Sequence, residues 1–356
     1  MKPLPTLLSF LPLVAASGGG GGGGPSHVAT EIFSFPPTNP IFIENLFVLP
    51  DARLLLTSFV HFGPDTNSPL HVLNPITSSV SVVTTLPNST SQTGIAELSG
   101  ANRYAVTAGI AGNNFEFVNN TVNVYVVSLG WNASSATVVD TIPVPGAISA
   151  NGLVAVGNVV LSADSREGRI LRVDTITRTS SVAFADPLLF GDPANVSGSL
   201  GVTGVNGLFL KWHLGHRWVY FTNTARGIYG RFKVDSLGYK VGSLEVLRTV
   251  TSADPIGFTN SLDDLVVDGD EDGDGDGDGY IAWQDKSLLK VKRYSNGTTA
   301  QTVVLGPGGV ASGNAGITLK TPTSVALGLG GGHIYVGTGG AEAGNLTGGQ
   351  VVKVTI

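Results

Sequence analysis

The sequence predicts an all-β protein folded as a six-bladed β-propeller, on three observations: a strand-forming composition, one residue pattern that returns six times, and an unassigned strand ahead of the first repeat. Hydrophobic residues make up 42% of the 356 positions and charged residues only 13%, with Val, Thr, Ser and Gly abundant. β-Branched residues suit pleated, half-buried strands, and the long Leu/Ala/Glu/Lys stretches that mark helices are missing.

The recurring pattern opens at Glu44 (ENLFVL), Gly94 (GIAELS), Asn151 (NGLVAV), Asn206 (NGLFLK), Asp263 (DDLVVD) and Pro322 (PTSVAL), at intervals of 50, 57, 55, 57 and 59 residues. Each opening is followed by a second apolar run, as in RLLLTSF from Arg53, RYAVTAG from Arg103, NVVLSADS from Asn158, RWVYFTNT from Arg217, YIAWQD from Tyr280 and HIYVGTGG from His333. A third, alternating run appears in GRILRVD, YGRFKVD, SLLKVKRY and QVVKVTI. The runs are strand-length and bounded by Gly, Asn, Asp or Pro, so each interval reads as one blade. The last repeat stops at Ile356 after three runs, while ATEIFSFP from Ala29 belongs to no repeat. This strand is expected to complete the sixth blade and to remove the exposed edges of an open ring. Residues 29–356 are therefore read as one domain, against the alternative of a β-sandwich with coincidental spacing.

The first residues read as an address. Lys2 precedes an apolar stretch from Leu7 to Val14, then Ala15, Ala16 and Ser17, which is a signal-peptide pattern too short to span a membrane. Residues 1–17 are assigned to the signal and 18–28, beginning with Gly18 to Gly24, to a flexible leader. Secretion is the expected localisation, with no membrane attachment after cleavage. Six N-x-S/T sequons, at Asn88, Asn119, Asn132, Asn195, Asn296 and Asn345, are candidate glycosylation sites. Cysteine is absent, so neither disulfides nor thiol catalysis is available. The net charge of −6 comes without a Lys/Arg cluster, which argues against nucleic acid as a partner. A small-molecule substrate is the expected partner, and the sequence sets no oligomeric state.

In a propeller the loop entering each innermost strand opens onto the axial pocket, which makes Glu44, Asn45, Asn151, Asn206, Asp263 and Asp264 the candidate site residues. Carboxylates and carboxamides are hard oxygen ligands that suit Ca²⁺ or Mg²⁺, whereas the Cys and His that zinc prefers are scarce. The plainer reading is that Asn-Gly and Asp-Asp make tight turns.

GVNGLFLKW followed by RWVYFTNT, and LDDLVVDGD followed by GYIAWQD, resemble blade openings of the SMP-30/gluconolactonase superfamily, and the likeness spans nearly the whole mature chain. The resemblance implies a divalent metal held by Glu44, Asn206 and Asp263, with Asn151 a fourth position and Asp263 a base. Asp264 stands where the family pattern has Gly, and blade one lacks the usual flanking residues. ENLFVLPDARLLLTSF, SANGL with VLSADSREGRILRVD, GVNGL with VYFTNTARGIYGR, and TGGQVVKV further resemble secreted fungal propellers that include hetero-Diels-Alderases of secondary metabolism. This second, narrower resemblance fits better and makes the expected function a small-molecule enzyme of fungal secondary metabolism, with a cycloaddition in the axial pocket that requires no cofactor.

Such an enzyme would hold two apolar reactants in a near-attack arrangement and polarise the diene carbonyl by hydrogen bonds. Arg226, Tyr229, Trp283 and Gln284 are the candidate contacts, Arg226 and Tyr229 in a catalytic role; aromatics in such strands otherwise pack the blades. A metal-dependent lactonase or esterase would instead use Asp263 or Asp264 to accept a proton. A non-catalytic binding module is the third possibility.

Other signals are weaker than they look. The acidic tract from Asp268 to Asp278 begins like a calcium loop, but its twelfth position is Gly279 where a bidentate Glu belongs. It reads as a hairpin insertion within blade five, with peripheral Ca²⁺ binding as the alternative. His213 and His216 read as part of an inter-strand turn, and no G-x-S-x-G elbow occurs.

Overall fold

The computed structural model describes residues 27–59, 67–112, 115–192, 202–250, 261–269, 277–284, 286–294, 296–307, 309, 317–342 and 345–356. The signal segment and most of the Gly-rich leader lie outside these residues.

Six four-stranded antiparallel sheets form the blades of a propeller. Blade 1 runs through Ile43–Val48, Leu54–Ser58, Ser68–Asn74 and Ser79–Leu86, and blade 2 through Ser91–Glu97, Arg103–Gly109, Asn123–Leu129 and Ala136–Pro143. Blade 3 comprises Ala150–Val156, Val159–Asp164, Arg169–Asp174 and Thr179–Ala185, and blade 4 Val205–His213, His216–Asn223, Ile228–Val234 and Lys240–Thr249. Blade 5 comprises Leu262–Val267, Gly279–Trp283, Ser287–Arg293 and Thr299–Leu305. In blade 6, Pro322–Leu327, His333–Thr338 and Gln350–Thr355 are completed by Ala29–Ser34, whose register runs from Ala29↔Val354 to Ser34↔Gln350. The chain thus closes its own ring through its first described strand, as the unassigned ATEIFS run predicted.

The apolar core is distributed rather than central, because each blade buries both faces against its neighbours. Six clusters occupy the six blade junctions. Phe221, Phe232, Leu161 and Val205 pack between blades 3 and 4, for example, and Ile43, Leu54, Tyr335 and Val351 between blades 6 and 1. Among the described residues no helix is long and apolar enough to cross a membrane.

One local feature positions the site. The register of every innermost strand breaks near its start: between Ile43 and Asn45, Gln92 and Ile95, Ala150 and Leu153, Val205 and Leu208, Leu262 and Leu265, and Pro322 and Ser324. A break of this kind leaves residues out of the ladder and re-aims their side chains. The residues in the breaks are Glu44, Thr93, Asn151, Asn206, Asp263 and Thr323, each with its successor where two residues are skipped.

Hydroxyls compensate the interrupted ladder. Thr57 Oγ1 accepts from the Asn45 N–H (3.1 Å) and donates to the Thr93 carbonyl of the next blade (2.6 Å). Thr222 does the same between the Gly207 N–H (2.9 Å) and the Asp263 carbonyl (2.6 Å). Thr93 donates to the Ala150 carbonyl, Ser165 to that of Val205 and Thr323 to that of Ile43. Buried polar backbone left unpaired would cost ~1–3 kcal/mol per group, so these side chains make the bulges tolerable and tie blade to blade.

Close approach at the bulges also explains the Gly of the Asn-Gly pairs. A Cβ on Gly152 would sit 2.3 Å from the Asn206 carbonyl oxygen and 2.7 Å from the Leu208 nitrogen. The obstruction is backbone, which cannot swing aside. Gly152→Ala is expected to lower stability by about 3 kcal/mol, the upper part of the overpacking range. Thermal unfolding checks this, and an unchanged melting temperature would show that the inner strands are not packed this closely.

Candidate active site

One end of the channel opens into a cavity of about 230 Å³ whose lining includes Glu44, Thr93, Asn151, Asn206 and Asp263, contributed by five different blades. Ser149, Thr203 and Gln284 add polar groups, and Phe42, Phe59 and Phe115 form an apolar side. The rings of Phe42 and Phe59 meet edge to face with centroids 6.3 Å apart, and Phe115 lies 5.3 Å from Phe59. Phe115 is held in the left-handed region at φ 59° while its carbonyl accepts the Ser149 hydroxyl at 2.8 Å. A bulky residue rarely adopts this conformation; here it places a 42%-exposed ring beside the polar floor.

The floor is acidic and buried. Desolvation pushes the Glu44 carboxyl up from 4.5 to about 8, with a hydrogen bond from Asn151 acting in the opposite direction and the nearby Asp264 charge adding to the rise. Desolvation likewise holds Asp263 well above the ordinary carboxylate range, and the Glu44 charge adds to it. Gln284 Nε2 donates to Asp263 Oδ2 at 2.6 Å and only partly offsets these effects. No Lys, Arg or His is among the described residues that line the cavity.

The orientation of Asn206 follows from counting hydrogens. Thr224 donates its one hydroxyl hydrogen to the Leu262 carbonyl (2.8 Å), so its oxygen is left as an acceptor for Asn206 Nδ2 (2.9 Å). Asn206 Oδ1 is consequently turned away from Thr224, and it is buried without a hydrogen-bond partner. An orphaned acceptor oxygen in one cavity with two carboxyls that have no counter-charge among the described residues is the donor set a hard cation requires. The residues thus fit the Ca²⁺ or Mg²⁺ that the family resemblance implies. Among the described residues no group of three or more Asp, Glu, His or Cys side chains is placed to hold a metal, so such a site depends on the carboxamides.

The structure brings Glu44, Asn151, Asn206, Asp263 and Gln284 together as the sequence suggested, and separates the other candidates from them. Asn45 and Asp264 line the other cavity, where Asn45 Nδ2 donates to Asp264 Oδ2 at 2.9 Å and links the inner strands of blades 1 and 5. Tyr229 and Trp283 are buried in the core between blades 4 and 5, Tyr229 stacked on Tyr220 at 6.0 Å. Blade packing, the plainer reading of those aromatics, is what the structure assigns them. Arg226 ties a loop instead of entering the cavity: Nε donates to the Phe190 carbonyl at 2.9 Å and the guanidinium lies 3.7 Å from Asp192. Sequence reading missed the three Phe residues, since Phe42 lies just ahead of the first opening, Phe59 ends the RLLLTSF run as one more apolar strand residue, and Phe115 lies in a loop.

The remaining expectations resolve simply. His213 and His216 pair at the end of a hairpin turned by Leu214 and Gly215. The acidic tract begins and ends as a hairpin, with the Asp268 N–H on the Asp278 carbonyl at 2.9 Å; positions 270–276 lie outside the described residues. Asn88, Asn119, Asn132, Asn296 and Asn345 are exposed, and Asn195 lies outside the described residues.

No family model matches the sequence, and no curated protein matches it. Solved structures do. A luciferin-regenerating enzyme superposes with a TM-score of 0.57 at 14% identity, covering 93% of this chain and 95% of that one. The aldose sugar dehydrogenase of Streptomyces coelicolor, solved with PQQ bound, gives 0.54 at 12% over 92% and 98% of the two chains. An α-L-arabinofuranosidase of Fusarium graminearum gives 0.59 at 10% over 93% and 97%. At these identities the likeness shows the fold, an all-β six-bladed propeller.

Proposed function

We propose that this propeller is a divalent-cation-dependent hydrolase of lactone or ester bonds in small, largely apolar molecules. The observation that carries the reading is the pairing of Glu44 and Asp263, buried with no cationic partner among the described residues, in the same cavity as the orphaned Asn206 oxygen. Glu44, Asn206 and Asp263, with Asn151 alongside, would hold the cation, which would supply Lewis-acid polarisation of the substrate carbonyl. Gln284 fixes one oxygen of Asp263 and leaves the other for a proton. The cation would keep Asp263 ionised, and its carboxylate would then be placed to accept a proton from water. The Phe42, Phe59 and Phe115 rings would hold the apolar part of the substrate and exclude water. The exposed sequons support a secreted, glycosylated product.

The test is hydrolysis of a panel of alkyl-substituted lactones with Ca²⁺ or Mg²⁺ and after chelation. Turnover that needs the cation supports the reading; turnover indifferent to chelation removes it. Phe115→Ala is expected to raise KM about ten-fold, corresponding to ~1.4 kcal/mol of lost contact, with a smaller change in kcat. Steady-state kinetics on the same lactone checks this.

The aromatic side of the cavity favours a second reading, the hetero-Diels-Alderase-like cycloaddition of fungal secondary metabolism. Without a cation, Glu44 is protonated at neutral pH and can donate a hydrogen bond to a diene carbonyl. This reading requires acceleration of a quinone-methide cycloaddition in the presence of chelator, and an unchanged rate and stereochemistry would discard it.

A further inference from the structure

The opposite part of the channel holds a larger cavity, about 360 Å³, within the range of roughly 300–1,000 Å³ typical of small-molecule sites. It shares no lining residue with the Glu44 chamber. Its wall is built from the inner strands beyond their bulges and is almost entirely apolar, with Leu46, Leu153, Ala155, Phe209, Val266 and Leu327 among its residues. Its polar groups are few: Asn45 and Asp264 at one level, and the exposed Glu97. No Lys, Arg or His is among the described residues that line it.

We propose that this chamber is a second ligand site, taking an elongated apolar molecule that ends in a protonated amine. Asp264 is the anchor. Its Oδ1 accepts the Leu265 N–H at 2.9 Å and its Oδ2 accepts Asn45 Nδ2 at 2.9 Å, which fixes the carboxyl group and leaves each oxygen capacity for one more donor. An ammonium group supplies both the donors and the counter-charge that the lining lacks. The apolar body then lies along the wall. Asn45 to Val48 spans about 10 Å at ~3.3 Å per strand residue, the length of an extended chain of about eight carbons. Asn45 and Asp264 line this chamber alone and Glu44 and Asp263 line the other alone, so the two sites are distinct. The proposal stands whether or not the Glu44 chamber hydrolyses lactones.

Isothermal titration of the full chain with n-octylamine, 1-octanol and octanoate, below their aggregation limits, tests it. Octylamine is expected to bind at least ten-fold more tightly than octanol, and octanoate not to bind. Ala155→Trp, which fills the chamber from a half-buried wall position, should weaken octylamine at least ten-fold. Asp264→Asn should erase the preference for amine over alcohol while alcohol binding persists, and Phe115→Ala in the other chamber should leave all three unchanged. Equal affinity for amine and alcohol, binding that survives Ala155→Trp in a folded variant, binding lost in Phe115→Ala, or no binding at millimolar octylamine would each overturn the proposal.

Discussion

Replacing Glu44 with Gln is expected to raise the melting temperature of the protein in chelator at pH 8 and, at the same time, to abolish the stabilisation that Ca²⁺ or Mg²⁺ gives the unmodified chain. The opposite signs come from one cause. Burial raises the Glu44 carboxyl from 4.5 to about 8, so the cation-free folded state retains a proton that the unfolded chain has released. The resulting stability is fully present below about 4.5 and is lost as pH rises toward 8, at up to about 1.4 kcal/mol per pH unit. Asp263 acts in the same direction. The unmodified protein in chelator should therefore melt at progressively lower temperature between pH 5 and 8, the reverse of ordinary acid denaturation. Gln carries no charge to bury, and the gain at pH 8 is on the order of 3 kcal/mol, or roughly 5 °C for a chain of this size. Saturating cation at 100 times its Kd should stabilise the unmodified protein by about 2.7 kcal/mol and the variant by almost nothing. Calorimetry over pH 5–8, with and without cation, measures all of this. A Gln variant less stable than its parent in chelator would mean that Glu44 is not a buried, uncompensated acid.

Deleting the chain through Ser34 is expected to have a comparably large effect on the fold. Ala29–Ser34 pairs with Gln350–Thr355 at five register positions, and Gln350 Nε2 also donates to Glu31. At about 1 kcal/mol net per ladder hydrogen bond, its loss costs roughly 4 kcal/mol, or about 8 °C. The second consequence is structural. Gln350–Thr355 becomes a bare edge with Val351, Val352 and Val354 in it, a template for strand addition from another copy. Chromatography should show oligomers or aggregates, and adding the excised strand as a peptide should restore the monomeric profile. A truncated chain that stays monomeric at the parent melting temperature would show that blade 6 is closed by other contacts.

Much of this architecture was legible in the residues. Strand runs and their turns depend on neighbours a few positions apart, and all six pattern openings fall in innermost strands. Glu44, Asn151, Asn206 and Asp263 were legible for the same reason: they recur at one phase of the repeat, and the fold turns a shared phase into a shared cavity. Tyr229 and Trp283 were not separable from site residues, because an aromatic side chain in a strand carries no local mark of which face will be covered.

By itself, then, the sequence determined the number of blades, their strands and the acidic and amide residues at each strand entry, since repetition and alternation are properties of the chain read in order. Only the tertiary structure decided how those residues divide. Asp263 and Asp264 are adjacent, yet the break in register between Leu262 and Leu265 sends one to the Glu44 chamber and the other to the opposite cavity. The bond from Asn45 to Asp264 joins positions 219 residues apart and exists only because the ring closes. Such a contact depends on where six blades place their inner strands in space, and no local pattern encodes that.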